Sequence, residues 1–96
     1  MITIEEIISK SKPHGLDGEG RMTTFETSDH VISIVGGRRG LYGDFEDSFE
    51  VAIIEKISRD FVSGKFFPEL SDSMGQIMPY ITRSQLVEVV NKMVVD

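Results

Sequence analysis

The sequence predicts a small α+β fold: a four-stranded antiparallel β-meander flanked by an N-terminal and a C-terminal helix, in the order α-β-β-β-β-α, with residues 1–96 forming one domain. Three observations carry this reading. Apolar residues recur at helical spacing near both ends, each stretch opening on a capping signature. The middle of the chain holds runs rich in β-branched and aromatic residues, with period-two alternation. The connections between most of these runs are short, and sequential strands with short connections are usually antiparallel neighbours.

The first helix is expected over Thr3 to Ser11. Ile4, Ile7 and Ile8 share one face. Thr3 with Glu6 fits a capping box, and Ile2 with Ile7 fits the hydrophobic staple. Pro13 stops the helix and biases Lys12 toward extended angles. His14 to Gly20 then reads as a loop, punctuated by Gly15, Gly18 and Gly20. Its acids do not follow the alternate-donor spacing of an EF-hand, so no metal is expected there.

Arg21 to Thr27 and His30 to Val35 read as two strands joined at Ser28-Asp29. Thr23, Phe25 and Thr27 lie on one face of the first. The run Val31-Ile32-Ser33-Ile34-Val35 suits a central strand. Phe49 to Glu55 alternates as a third strand, and Lys56 to Asp60 is a polar turn. Phe61 to Phe66 reads as the fourth strand, weakened by Gly64 and ended at Pro68. Leu70, Met74, Ile77 and Met78 suit a brief helix limited by Gly75 and Pro79. The last helix begins at a second capping box, Thr82 with Gln85, with Ile81 and Leu86 as the staple. The predicted core is Ile4, Ile7, Ile8, Phe25, Ile32, Ile34, Val51, Ile53, Phe61, Leu86, Val90 and Met93.

Composition narrows the function classes. Hydrophobic residues make up 40% and charged residues 27% of the chain, an ordinary globular balance. With no cysteine, disulfides, thiol catalysis and thiolate zinc sites are excluded. No apolar run approaches the length of a membrane span, and Met1 to Glu6 lacks the pattern of a signal peptide, so a cytoplasmic protein is expected. The net charge of −6 disfavours direct nucleic-acid binding, which needs cations against phosphates, and permits a protein partner with a basic surface, although solubility alone accounts for such a charge. The two histidines, His14 and His30, are tied to no nucleophile or acid pattern. The chain is therefore expected to be no enzyme and to carry no cofactor.

The most distinctive stretch is the glycine-rich connection Gly36 to Asp47. It is far longer than the usual hairpin loop, and loops of that length are commonly functional. Arg38, Arg39, Tyr42 and Phe45 are residue types that anchor protein interfaces. Asp44, Glu46 and Asp47 add charge that steers a basic partner, and with Glu50 they also guard a strand edge. In the competing arrangement Leu41, Tyr42 and Phe45 fold back as a lid on the sheet. An alternative function is small-ligand or nucleotide binding by the Gly36–Gly43 loop, with glycine N–H groups and the two arginines around an anion. The Walker and dinucleotide-binding patterns are both absent, and the loop leads into a strand.

In being short, acidic, cysteine-free and without an enzyme motif, the chain resembles the small accessory proteins carried by bacteriophages. The likeness covers the whole chain and rests on no motif. It implies a non-enzymatic binding protein that inhibits a host enzyme or a defence complex.

The C-terminal helix carries more apolar residues than one core-facing stripe requires: Leu86, Val87, Val89, Val90, Met93, Val94 and Val95. Val87 and Val94, one heptad apart, are the residues expected to support a homodimer.

Overall fold

The computed structural model describes residues 1–16, 18–37 and 41–94. Helix α1 (Ile4–Ser9) is followed by strands β1 (Lys12–His14), β2 (Gly20–Glu26), β3 (His30–Gly36) and β4 (Ser48–Glu55). A single helical turn α2 (Ser63–Phe66), strand β5 (Met78–Thr82) and helix α3 (Arg83–Met93) complete the chain. The strands form one antiparallel sheet in the order β1-β2-β3-β4-β5. The α+β class and the meander agree with the sequence reading, but the sheet has five strands where four were expected.

The difference has two sources. Lys12-Pro13-His14, expected to leave the helix as loop, pairs with Met22-Arg21-Gly20 as a short edge strand. Proline lacks a donor and is tolerated at an edge. The expected fourth strand, Phe61 to Phe66, is not one. Phe61 makes only an isolated bridge to Ile54, and Ser63–Phe66 coils into α2. The last place in the meander belongs instead to Met78–Thr82, where the brief helix was expected to end. Pro79 within β5 again sits at a sheet edge, so both edges are blunted.

Both helices are capped at the threonine the sequence points to, but only the second capping box is complete. The Thr3 hydroxyl accepts the Glu6 N–H at 3.2 Å. At α3 the box is reciprocal: Thr82 Oγ1 accepts from the Gln85 N–H, and Gln85 Oε1 accepts from the Thr82 N–H. The β2–β3 turn needs no glycine because Thr27 closes it. Its N–H donates to the His30 carbonyl, and its hydroxyl accepts the His30 N–H.

The helices and the 60–77 segment cover one face of the sheet. The core there is Ile7, Ile32, Ile34, Phe45, Phe49, Val51, Ile53, Val62, Phe67, Met78, Ile81, Leu86, Val89 and Val90. Of the predicted core, Ile4, Ile8, Phe25 and Met93 pack at its margin. Phe61 is the exception, 47% exposed, because its side chain follows Ile54 onto the opposite face. Two polar ties close the layers. The buried Thr23 hydroxyl donates to the Ile7 carbonyl at 2.8 Å. Asn91 on α3 exchanges two hydrogen bonds with the Ile2 backbone, at 2.7 and 2.8 Å, strapping the N-terminal segment against the last helix.

Candidate functional site: the β3–β4 loop and the β5 bulge

The loop that follows β3 is built from its own hydrogen bonds. Asp44 Oδ1 accepts the N–H groups of Glu46, Asp47 and Ser48 at 2.9, 2.9 and 3.0 Å, folding the chain into a tight turn. These donors, that of Asp47 foremost, lower the Asp44 pKa to about 2 by stabilising its charged form. The Ser48 hydroxyl accepts the Asp44 N–H, and the Ser48 carbonyl accepts that of Phe45. Gly37 donates to the Gly43 carbonyl at 2.9 Å, and Tyr42 N–H donates to Glu50 Oε1 at 3.1 Å.

Gly43 makes this seat possible. A Cβ there would lie 2.7 Å from the Phe49 backbone, closer than real Cβ atoms approach. The chain then turns Phe45 inward at a positive φ of 60°. Phe45 is 6% exposed and meets Phe49 edge-on with ring centroids 5.2 Å apart. Phe45 thus departs from the expectation of a projecting partner anchor: it plugs the loop into the core. Leu41 is half-buried over the helix-free face of the sheet. Phe45 and Leu41 follow the lid arrangement, whereas Tyr42 does not.

Tyr42 is 46% exposed and stands beside Tyr80 of β5, which is 63% exposed. Their rings meet edge-on at 5.6 Å, and the Tyr80 N–H donates to the Tyr42 carbonyl at 3.0 Å. The β4–β5 ladder is irregular between Phe49 and Val51, and Tyr80 takes a positive φ of 52°. A bulky residue rarely holds that conformation, and such backbone strain concentrates at functional sites. Here it turns the Tyr80 ring toward the loop.

The exposed acids Asp44, Glu46 and Asp47 border this aromatic pair in the chain. Arg83, at the start of α3, holds them in place. Its Nε donates to the Glu46 carbonyl at 2.7 Å and lies 3.4 Å from the Asp47 carboxylate. Both partners of that ion pair are solvated, so it orients more than it stabilises.

Arg38 and Arg39 lie outside the described residues, as do Gly40, Asp17 and Val95. The loop N–H groups of Gly37, Tyr42 and Asp44 through Ser48 all point to acceptors within the protein. Those amides leave no converging nest for a phosphate. Val87 and Val94 are both half-buried on α3, and Val94 packs against the core margin. His30 opens β3 with its ring edge-on to Phe66 at 5.0 Å. His14 is half-buried in β1. Among the described residues, no group of three or more His, Asp or Glu side chains could hold a metal ion, and no helix is long and apolar enough to cross a membrane.

Tyr80 and Arg83 were not singled out from the sequence. Both depend on β5 returning beside β4, which no local pattern announces. Comparison with known proteins finds no likeness: no family model, no curated protein and no solved structure matches the chain.

Proposed function

We propose that the chain is a non-enzymatic protein-binding module whose contact surface is centred on Tyr42 and Tyr80 and bordered by Asp44, Glu46 and Asp47. The observation that supports this reading is the exposed tyrosine pair, held edge-on at 5.6 Å by a backbone hydrogen bond. Tyrosine gives large contact area at low conformational cost, and it is among the residues that dominate binding energy at interfaces. Fixing both rings before binding lowers the ordering cost of association further. The acids beside them select a partner with a basic patch and speed its approach.

The partner class follows from the chain's likeness in character to phage accessory proteins: a host enzyme or defence complex whose activity the bound module blocks. Arg38 and Arg39, in the same stretch of sequence, are residue types suited to the same partner.

The test is affinity capture from bacterial lysate with tagged wild type and the Tyr42→Ser/Tyr80→Ser variant, with mass spectrometry of what is retained. The expected result is a partner held by the wild type, lost in the variant and released by salt. Equal retention by both proteins would remove the tyrosine pair as the contact.

A further inference from the structure

Glu50 is tied to both tyrosines of the proposed surface. Its Oε1 accepts the Tyr42 N–H at 3.1 Å. In the β4–β5 ladder Phe49 faces Ile81 and Val51 faces Met78, so Glu50 stands opposite Pro79 and Tyr80. Phe49, Val51, Met78 and Ile81 are buried in the core on the helix side. Side chains alternate along a strand, so Glu50 and Tyr80 take the opposite face of the sheet.

The fold supplies this carboxylate with no cation. Glu50 is half-buried. Among the described residues it makes no ion pair, and the Tyr42 N–H is its one hydrogen-bond donor. Lys12 belongs to the same cross-strand row but lies three strands away, roughly 14 Å at the usual strand spacing. Arg83 is engaged by the Glu46 carbonyl and the Asp47 carboxylate.

Aromatic area stands beside this carboxylate. An edge-on pair covers one ring face at most, and Tyr42 is 46% and Tyr80 63% exposed. A ring face attracts a cation through its quadrupole. A guanidinium can stack on such a face while its fork of N–H groups reaches a carboxylate. An ammonium has no plane to stack and is more strongly hydrated.

We infer, on the basis of the protein-binding reading above, that this surface receives an arginine side chain of the partner. The guanidinium stacks on the Tyr42–Tyr80 pair and donates to Glu50.

The test needs no captured partner. Capped Gly-Arg-Gly, Gly-Lys-Gly and Gly-citrulline-Gly peptides are titrated into isotope-labelled protein and followed by NMR. Citrulline keeps the planar shape of arginine without its charge. The arginine peptide is expected to give saturable shifts at Tyr42, Glu50 and Tyr80. The lysine peptide should bind roughly threefold more weakly, and the citrulline peptide should give no saturable shift. Glu50→Gln keeps an acceptor for the Tyr42 N–H and is expected to weaken the arginine peptide roughly threefold. Tyr42→Leu should weaken it by a similar factor.

Equal binding of the arginine peptide and either of the others overturns the inference, as does the absence of any saturable response. So does a response that appears only in Arg38→Ala/Arg39→Ala, because the chain's own arginines would then be the occupants. Should Glu50→Gln or Tyr42→Leu unfold, the three peptides on wild type decide alone. The two readings fail separately. If only the arginine is wrong, the partner is still lost in Tyr42→Ser/Tyr80→Ser. If the tyrosine surface is wrong, that variant captures the partner as wild type does.

Discussion

Ser63 stands in for the strand partner that Ile53 lacks. The β4–β5 pairing ends at Val51 opposite Met78. Two residues on, the Ile53 N–H donates to the Ser63 hydroxyl at 2.9 Å, and that hydroxyl donates to the Gln76 carbonyl at 2.8 Å. One fully buried side chain thus closes the gap between β4 and the segment leading to β5.

Ser63→Ala removes both bonds and leaves the Ile53 N–H buried without an acceptor. An orphaned buried group costs about 1–3 kcal/mol. Urea unfolding is expected to show a loss of that size with an unchanged denaturant slope. A variant as stable as wild type would mean that another acceptor takes the Ile53 N–H.

Gly43→Ala drives a methyl group into the Phe49 backbone, 2.7 Å from the new Cβ. Overpacking of this kind costs about 1–3 kcal/mol. The loop must lift, so the Tyr42 contacts with Glu50 and Tyr80 are lost together. The expected result is a lower melting temperature with increased amide exchange at Tyr42 and Tyr80, and unchanged exchange at these sites contradicts the seat described for the loop.

Asp44 makes the turn pH-sensitive. Its folded pKa, about 2, lies below the ordinary 3.8 of an aspartate because three backbone N–H groups donate to the carboxylate. A group depressed in the folded state contributes stability that is complete above its unfolded pKa and is lost as pH falls through the folded one. The contribution of Asp44 therefore fades between about pH 4 and pH 2. Melting temperature followed over that range is expected to fall less steeply in Asp44→Ala than in wild type. Parallel profiles would show that the turn does not depend on the charge.

Asn91→Leu removes the two bonds to Ile2 and the bond to the Val87 carbonyl. Released from α3, the N-terminal segment is expected to become a site of limited proteolysis, with a stability loss of about 1 kcal/mol, because the half-buried Ile2 backbone groups exchange their Asn91 partner for water. An N-terminus that still resists protease would assign the strap to Ile2 packing alone.

Sequence patterns revealed the elements whose cause is local. The two capping signatures, the β-branched run of β3 and the alternation of β4 each follow from neighbouring residues. The elements they concealed are those fixed by distant partners. Met78-Pro79-Tyr80 carries a proline and a left-handed tyrosine, and it is a strand only because β4 offers an edge. Phe61 to Phe67 is too short for its period to separate strand from helix, and its buried residues are Val62, Ser63 and Phe67. The same division holds at the site. The loop's length and residue types marked it, whereas Tyr80 joins it only through the β4–β5 pairing. Phe45 has two readings in the sequence, anchor or lid, and nothing near it decides between them because the inward turn rests on the backbone of Gly43 and Phe45.

The proposed joint action of Tyr42 and Tyr80 as a binding surface is tested most directly by a double-mutant cycle against the captured partner, read by calorimetry. Tyr42→Ala and Tyr80→Ala are each expected to weaken binding by about 30-fold or more, matching the roughly 2 kcal/mol of a hot-spot residue. The double variant should lose less than the sum, because each ring positions the other. Asp47→Asn should chiefly slow association and flatten its salt dependence. Affinity unchanged in both tyrosine variants would contradict the account.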